Sequence, residues 1–182
     1  MQLGEFLYRV GRIADYWKMA FDTPQGTLEM SAAPRPYPAA GGLYELELNI
    51  VVNRCEKLES GFYYYDPENH RLIEISNRTS AVEQFLNDAG RSTGISPERL
   101  QILIIVSARF QRIAWKYSTL AYAAILKNLG VLYQTMYLTA TAMGLAPCAI
   151  GYGDSDLFAS AAGTEYYSET SVGEFLLGTR QS

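Results

Sequence analysis

The sequence predicts an α+β domain, and three observations carry that reading. Apolar residues recur at helical spacing over residues 3–18, through Leu3, Phe6, Leu7, Val10, Ile13, Ala14 and Trp17. Three apolar runs read as strands: LELNIVVN (46–53), LQILIIVSA (100–108) and SVGEFLLGT (171–179). Between Ser118 and Gly144 the only charged side chain is Lys127. Helices mixed with strands, and hairpins mixed with crossovers, place the chain in the α+β class.

The elements follow in order. After the first helix, residues 22–44 carry Pro24, Pro34, Pro36, Pro38 and Gly41-Gly42, and read as a loop. Leu46–Asn53 is a strand. Gly61–Asp66 and Arg71–Ile75 flank the turn-forming Pro67–His70 and form a hairpin. Residues 80–89 form a short helix capped by Ser80, with Glu83 completing a capping box. Leu100–Ala108 is a central strand, and Phe110–Ala114 a helical turn. The long helix runs over about 118–143 and stops at Gly144. Ala146–Gly151 is a brief apolar strand, Asp154 or Ser155 caps a helix through Ala161, and Ser171–Thr179 is the last strand. The 182 residues suit one domain, 1–182, with a substantial core.

Composition excludes several functions. The net charge of −4 leaves no basic footprint for nucleic acid. Cys55 and Cys148 fit neither a metal spacing nor a disulfide framework. His70 is the single histidine and lies in the turn DPENHR, so a histidine-rich metal site is impossible and a surface role is expected. There is no GxGxxG and no GKS/T motif. The opening MQLGEFLYRVGR is not a secretory leader. Thr, Tyr, Asn and Gln interrupt 118–143 too often for a membrane span. The expected location is cytoplasmic, and the expected role of the uncharged helix is a soluble core or a dimer contact.

Four features can carry chemistry. Arg35–Glu47 (RPYPAAGGLYELE) combines rigid prolines with two glycines that let backbone approach something flat or anionic. Lys116-Tyr117 stands where the uncharged stretch begins; an ammonium beside a phenol stabilises phenolate and so favours a base. Neighbours on a helix point about 100° apart, so the two side chains need not meet. Gly144–Asp154 (GLAPCAIGYGD) ends in a Gly-x-Gly turn that can offer backbone N–H groups. Arg9, Arg12, Arg35 and Arg180 are candidate phosphate donors. Taken singly, each also has a plain structural reading: a proline-rich turn, a snorkelling lysine, a connecting loop, solvated arginines.

In order along the chain, these motifs resemble the SagB-type azoline dehydrogenases, a branch of the FMN-dependent nitroreductase superfamily. The resemblance rests on RPYPAAGGLYELE (35–47), GFYYYDP (61–67) with HRL (70–72), WKY (115–117), LGVLYQ (129–134), GLAPCAIG (144–151) and GEFLLG (173–178). It implies a mixed, mainly antiparallel sheet flanked by helices, with a long central helix at a homodimer interface. It implies two FMN molecules there, each touched by both subunits. Arg9 and Arg12 match the region that grips the FMN phosphate and ribityl chain. Pro38, Ala39, Ala40 and Gly41, in the loop ending at Gly42, match the segment along the flavin, of the opposite subunit; Ala39 stands where the family usually has Ser. Ile150, Gly151 and Tyr152 match the strand end whose backbone donor faces flavin N5. Arg180 matches a phosphate-binding basic position, and Lys116 and Tyr117 match the pair assigned to proton chemistry.

The implied activity converts a thiazoline or oxazoline to the aromatic azole, with oxygen as the terminal acceptor. The implied substrate is an azoline on a ribosomal peptide bound by a cyclase complex, or on a carrier of a nonribosomal synthetase. Two alternatives stand beside it: an NAD(P)H-dependent nitro- or quinone reductase, and a non-catalytic flavin-binding or scaffold subunit.

Overall fold

A computed structural model describes residues 2–24 and 26–180. Its elements are α1 (Gln2–Gly11), β1 (Trp17–Thr23), β2 (Gly26–Ala32), β3 (Leu46–Val52), β4 (Gly61–Asp66), β5 (Arg71–Asn77), α2 (Ser80–Thr93), β6 (Ile102–Arg109), α3 (Gln111–Tyr117), α4 (Ala121–Ala142), β7 (Leu145–Ile150), α5 (Ser155–Ala162) and β8 (Glu169–Thr179). Six strands form one sheet in the order β5-β4-β3-β6-β8-β7, antiparallel at every neighbouring pair. Strands β1 and β2 form a separate antiparallel ribbon.

The central strands are buried on both faces, so they read as continuous apolar runs rather than alternating ones. Their side chains still alternate between two cores. On one face Ile50, Ile104, Val106 and Phe175 pack with Phe6 and Leu7 of α1 and with Ile125, Leu132 and Met136 of α4. On the other, Val51, Leu103, Ile105 and Leu176 pack with Phe85 and Leu86 of α2 and Phe158 of α5. Helix α4 has 22 residues and is about 33 Å long. Its inner stripe is Ala121, Ile125, Leu129, Leu132, Met136 and Ala140, while Tyr122, Leu126 and Leu138 face outward. Among the described residues no helix is long and apolar enough to cross a membrane.

Four expectations are corrected. The first helix ends at Gly11, not near residue 18. Gly11 is buried, and a Cβ there would lie 2.9 Å from Leu48 Cδ1 and 3.1 Å from Tyr65 Cε1. Beyond it Ile13 N donates to Pro67 O and Ala14 N to Pro34 O, so tertiary bonds take over from helical ones. Arg12 therefore falls outside the helix that carries Arg9. The presumed loop 22–44 contains β2, paired with β1 from Trp17↔Ala32 to Thr23↔Gly26. The second helix runs on to Thr93, and its cap is Thr79, whose Oγ1 accepts from Val82 N at 3.4 Å, so Ser80 is its first residue. Glu83 takes Arg78 as its ion-pair partner instead of closing a box.

The long helix begins at Ala121. A single turn of tighter 3-10 helix, Ser118–Leu120, separates it from α3, and Ser118 sits at φ 46°. A non-glycine residue in that region bends the chain sharply. The break fixes where the last turn of α3, Lys116 and Tyr117, points. At the far end Gly144 takes φ 70°, as a helix stop requires, and Asp154 Oδ1 caps α5 by accepting from Leu157 N at 2.8 Å.

Candidate functional site

The site is built where β3, β6 and β8 reach the same end of the sheet. Leu46 pairs with Ala108, and Arg109 with Glu169. From there Arg109 N donates to Glu45 O and Phe110 N to Ser168 O, which fixes the start of α3. Ile113 is fully buried and anchors the short helix. Its last turn then presents Lys116, exposed, and Tyr117, half-buried against the α4 core.

The Pro38–Gly42 loop lies directly on this pair. Ala40–Gly42 make one turn of 3-10 helix, with Gly42 N donating to Ala39 O at 3.0 Å. Gly41 and Gly42 take φ 61° and 67°, conformations that glycine adopts freely. A Cβ on Gly41 would stand 2.9 Å from Lys116 Nζ and 2.9 Å from Tyr117 Oη. The two polar atoms thus converge on one backbone position and lie within twice that distance of each other. Lys116 Nζ also sits 4.0 Å above the centre of the Phe21 ring, which meets Trp115 edge-on at 5.6 Å. The β1–β2 ribbon, absent from the sequence reading, thereby supplies one wall of the lysine's surroundings.

Beneath the loop runs a polar layer that sequence reasoning missed. Ala40 N donates to Asn128 Oδ1 at 2.9 Å, and Asn128 Nδ2 donates to Glu45 Oε1 at 2.8 Å. Glu45 is fully buried, and burial raises its carboxyl above the usual range while the Asn128 bond pulls it down. Its second oxygen, Oε2, has no hydrogen-bond partner among the described residues. Glu47, two residues on, faces Arg35, Arg109 and Arg112 at 3.2, 3.4 and 3.3 Å and accepts from Tyr64 Oη at 3.3 Å. Burial pushes the Tyr64 phenol up to about 12. Arg35, read from sequence as a candidate phosphate donor, is spent here; it also donates to Gly11 O at 2.9 Å. The signal was present in LYELELN: two carboxylates in an otherwise apolar strand demand buried partners.

The other expected site residues lie apart from this centre within one chain. Arg9 is exposed and ion-paired to Glu5 at 2.7 Å. Arg12 stacks on Tyr8 at 4.2 Å and donates to Tyr8 O. Arg180 donates to Leu145 O at 3.3 Å, at the opposite end of β8 from Glu169. That separation is the length of a β6–β8 pairing, roughly 20 Å or more. Ile150 ends β7 in register with Glu174, leaving Gly151, Tyr152 and Gly153 exposed on the edge of the sheet at the end where α3 begins. His70 is on the surface, its Nδ1 2.9 Å from Tyr65 Oη.

These residues fit a flavin mononucleotide. The Pro38–Gly42 loop carries nothing larger than a proline ring, so a flat ring system can approach its backbone. A Cβ at Gly151 would meet nothing within 4 Å, which leaves that backbone equally open. Arg9 and Arg12 are committed only to weak surface partners, which a phosphate dianion outcompetes.

Glu174 underlies the Gly151–Gly153 turn. A Cβ on Gly153 would overlap its carboxyl, so the turn lies flat on a buried acid. Burial raises the Glu174 carboxyl to about 7, against a smaller lowering by Ser171. A carboxyl raised in the folded state is stabilising while protonated, and that contribution is lost as pH rises from the unfolded value through about 7. Between pH 5 and 8 the protein is expected to lose stability on the order of 2 kcal/mol from this group. Glu174→Gln should flatten that slope in thermal melts across the range; an unchanged slope would show that the acid is not proton-linked.

The profile of the nitroreductase family matches residues 24–178. The chain belongs to the nitroreductase family. A Methanocaldococcus jannaschii protein assigned to the nitroreductases, MJ1384, is 29% identical over 115 residues, covering 63% of this chain and 56% of that one. A solved structure from Anabaena variabilis, likewise assigned to the nitroreductases, superposes with a TM-score of 0.70 at 26% identity, over 97% of this chain and 34% of that one. In the E. coli microcin synthetase McbBCD complex with truncated pro-MccB17 bound, a chain superposes with a TM-score of 0.76 at 17% identity, over 99% of this chain and 63% of that one. An Exiguobacterium sibiricum structure in complex with FMN gives 0.54 at 13% identity, over 80% of this chain and 72% of that one. The last two show the shared fold. The chain spans about half the length of its M. jannaschii relative and about a third of the Anabaena protein.

Proposed function

We propose that this nitroreductase-family oxidoreductase is an FMN-dependent azoline dehydrogenase of the SagB type, acting on a thiazoline or oxazoline carried by a peptide or a carrier-bound intermediate. The observation that carries the reading is the convergence of Lys116 Nζ and Tyr117 Oη on Gly41. A simple electron relay from NAD(P)H needs no such base; removal of a carbon-bound proton does. A chain of the microcin synthetase complex with truncated pro-MccB17 bound shares this fold.

FMN, when bound, would supply the hydride acceptor, with oxygen as the terminal oxidant. The ring loses one proton and one hydride and becomes aromatic, which makes the reaction favourable once geometry is set. Tyr117 takes the carbon-bound proton. Lys116 Nζ meets the same backbone position and lies beside the Tyr117 oxygen during that transfer. With FMN bound, the Pro38, Ala39, Ala40 and Gly41 backbone would lie along the flavin of the opposite subunit and would keep the pair beside it. Arg9 and Arg12 would take the phosphate and ribityl chain, with Arg180 a further phosphate donor. The backbone of Ile150, Gly151 and Tyr152 would face flavin N5, where a donor would stabilise the negative charge of reduction. The outward stripe of α4, Tyr122, Leu126 and Leu138, forms the homodimer contact that completes each site. A cyclase complex or a nonribosomal synthetase is the natural source of the substrate.

The test is direct. Purified protein incubated with FMN and desalted should be yellow, and a thiazoline-bearing peptide should emerge lighter by two hydrogens. Protein that stays colourless supports the scaffold alternative and removes the site assignments.

A further inference from the structure

Through Asn128, α4 holds the loop on the Lys116–Tyr117 pair. Its orientation is not arbitrary. The Ala40 N–H can only donate, so Asn128 must turn its oxygen to the loop and its amide nitrogen to Glu45, and both bonds are short, 2.9 and 2.8 Å. Both Asn128 and Glu45 are buried, at 5% and 0% exposure. A buried carboxyl with one unpartnered oxygen is costly, and a leucine at 45 would fill the same space at no such cost. What the carboxyl does is fix the Asn128 amide, and the amide in turn fixes the Ala40 N–H. The Gly41 that follows is the residue pressed against Lys116 Nζ and Tyr117 Oη. The charged and titratable neighbours on the packed elements are Arg112 of α3 and Tyr37 of the preceding loop; Arg112 also donates to Tyr44 O.

We infer that Glu45 and Asn128 are a positioning pair that clamps the Ala40–Gly42 turn onto Lys116 and Tyr117. This rests on the reading of that pair as the proton-handling groups, but the clamp itself can be tested without any cofactor. In Asn128→Leu both bonds vanish. In Asn128→Asp the loop keeps an acceptor but two carboxylates face each other. In the double variant Glu45→Gln/Asn128→Asp the polarity is reversed: the new amide donates to the new carboxylate, which still accepts from Ala40 N–H.

Amide hydrogen exchange of the segment around Ala40, followed at pH 7.5 in flavin-free protein with melting temperature recorded beside it, reads the clamp. Exchange at Ala40 should speed up at least tenfold in both single variants and return to within about threefold of the parent in the double variant. FMN affinity should follow the same order, weakened in the singles and recovered in the double. Parent-like exchange in Asn128→Leu would overturn the inference, and so would a folded double variant that stays unprotected. If the single variants do not fold, protection in the double variant still decides it: retained protection supports the clamp and lost protection refutes it. Absence of FMN binding in every form would sink the flavin reading and leave the exchange result standing.

Discussion

Tyr117→Phe is expected to leave FMN bound and to lower azoline turnover by about 10²–10⁴-fold, the range a positioned general base contributes. The phenyl ring keeps the packing of Tyr117 against the α4 core, so melting temperature and flavin affinity should stay close to the parent. Only the oxygen that meets Gly41 is removed. Lys116→Met should also lower turnover with FMN still bound, because it removes the ammonium that meets Gly41 beside the Tyr117 oxygen. Turnover unchanged in Tyr117→Phe would sink the base assignment while leaving the fold and the flavin site untouched.

Gly41→Val should produce the second large effect, on cofactor binding rather than on chemistry. Gly41 holds φ 61°, which a β-branched residue adopts at a cost of roughly 1–3 kcal/mol. Its new side chain would also meet Lys116 Nζ and Tyr117 Oη at 2.9 Å. The lysine head can swing into solvent; the half-buried tyrosine cannot, so the loop must lift. FMN affinity should fall at least tenfold and turnover with it. Gly94→Val separates strain from site: Gly94 holds φ 70° with nothing within 4 Å of its Cβ position, far along the chain from the loop. That variant should share the loss in melting temperature and keep FMN affinity within about twofold. Equal flavin loss in both would mean that the Gly41 loop does not touch the cofactor.

Much of this molecule is legible in its sequence because the central strands are buried on both faces. Runs such as LELNIVVN and LQILIIVSA have no other stable use, and β3 and β6 fall where those runs fall. The errors are physical. Helical spacing continues past Gly11, but Gly11 packs against Leu48 and Tyr65 and Arg35 seizes its carbonyl, so tertiary contacts end the helix. The β1–β2 ribbon is mostly exposed and shows no clean apolar alternation, which hid it in a proline-marked stretch. Thr79 and Ser80 are chemically equivalent caps, and only the backbone distinguishes them. At the site, Lys116, Tyr117 and the glycine loop are visible as motifs, but their meeting spans some 75 residues of sequence and depends on the Ser118 kink. Asn128 and Glu45 were invisible as a pair for the same reason: no local pattern links a helix asparagine to a carboxylate 83 residues earlier.

The central claim is that Lys116 and Tyr117 serve the oxidation of a substrate carbon, not the reception of electrons from a nicotinamide. It is tested by mixing FMN-loaded protein without oxygen, in parallel, with a thiazoline-bearing peptide and with NADPH, and following the visible flavin absorption. The peptide should bleach the flavin in step with azole formation, and NADPH should leave it oxidised. Rapid bleaching by NADPH with the thiazoline returned unchanged would contradict it and identify a reductase.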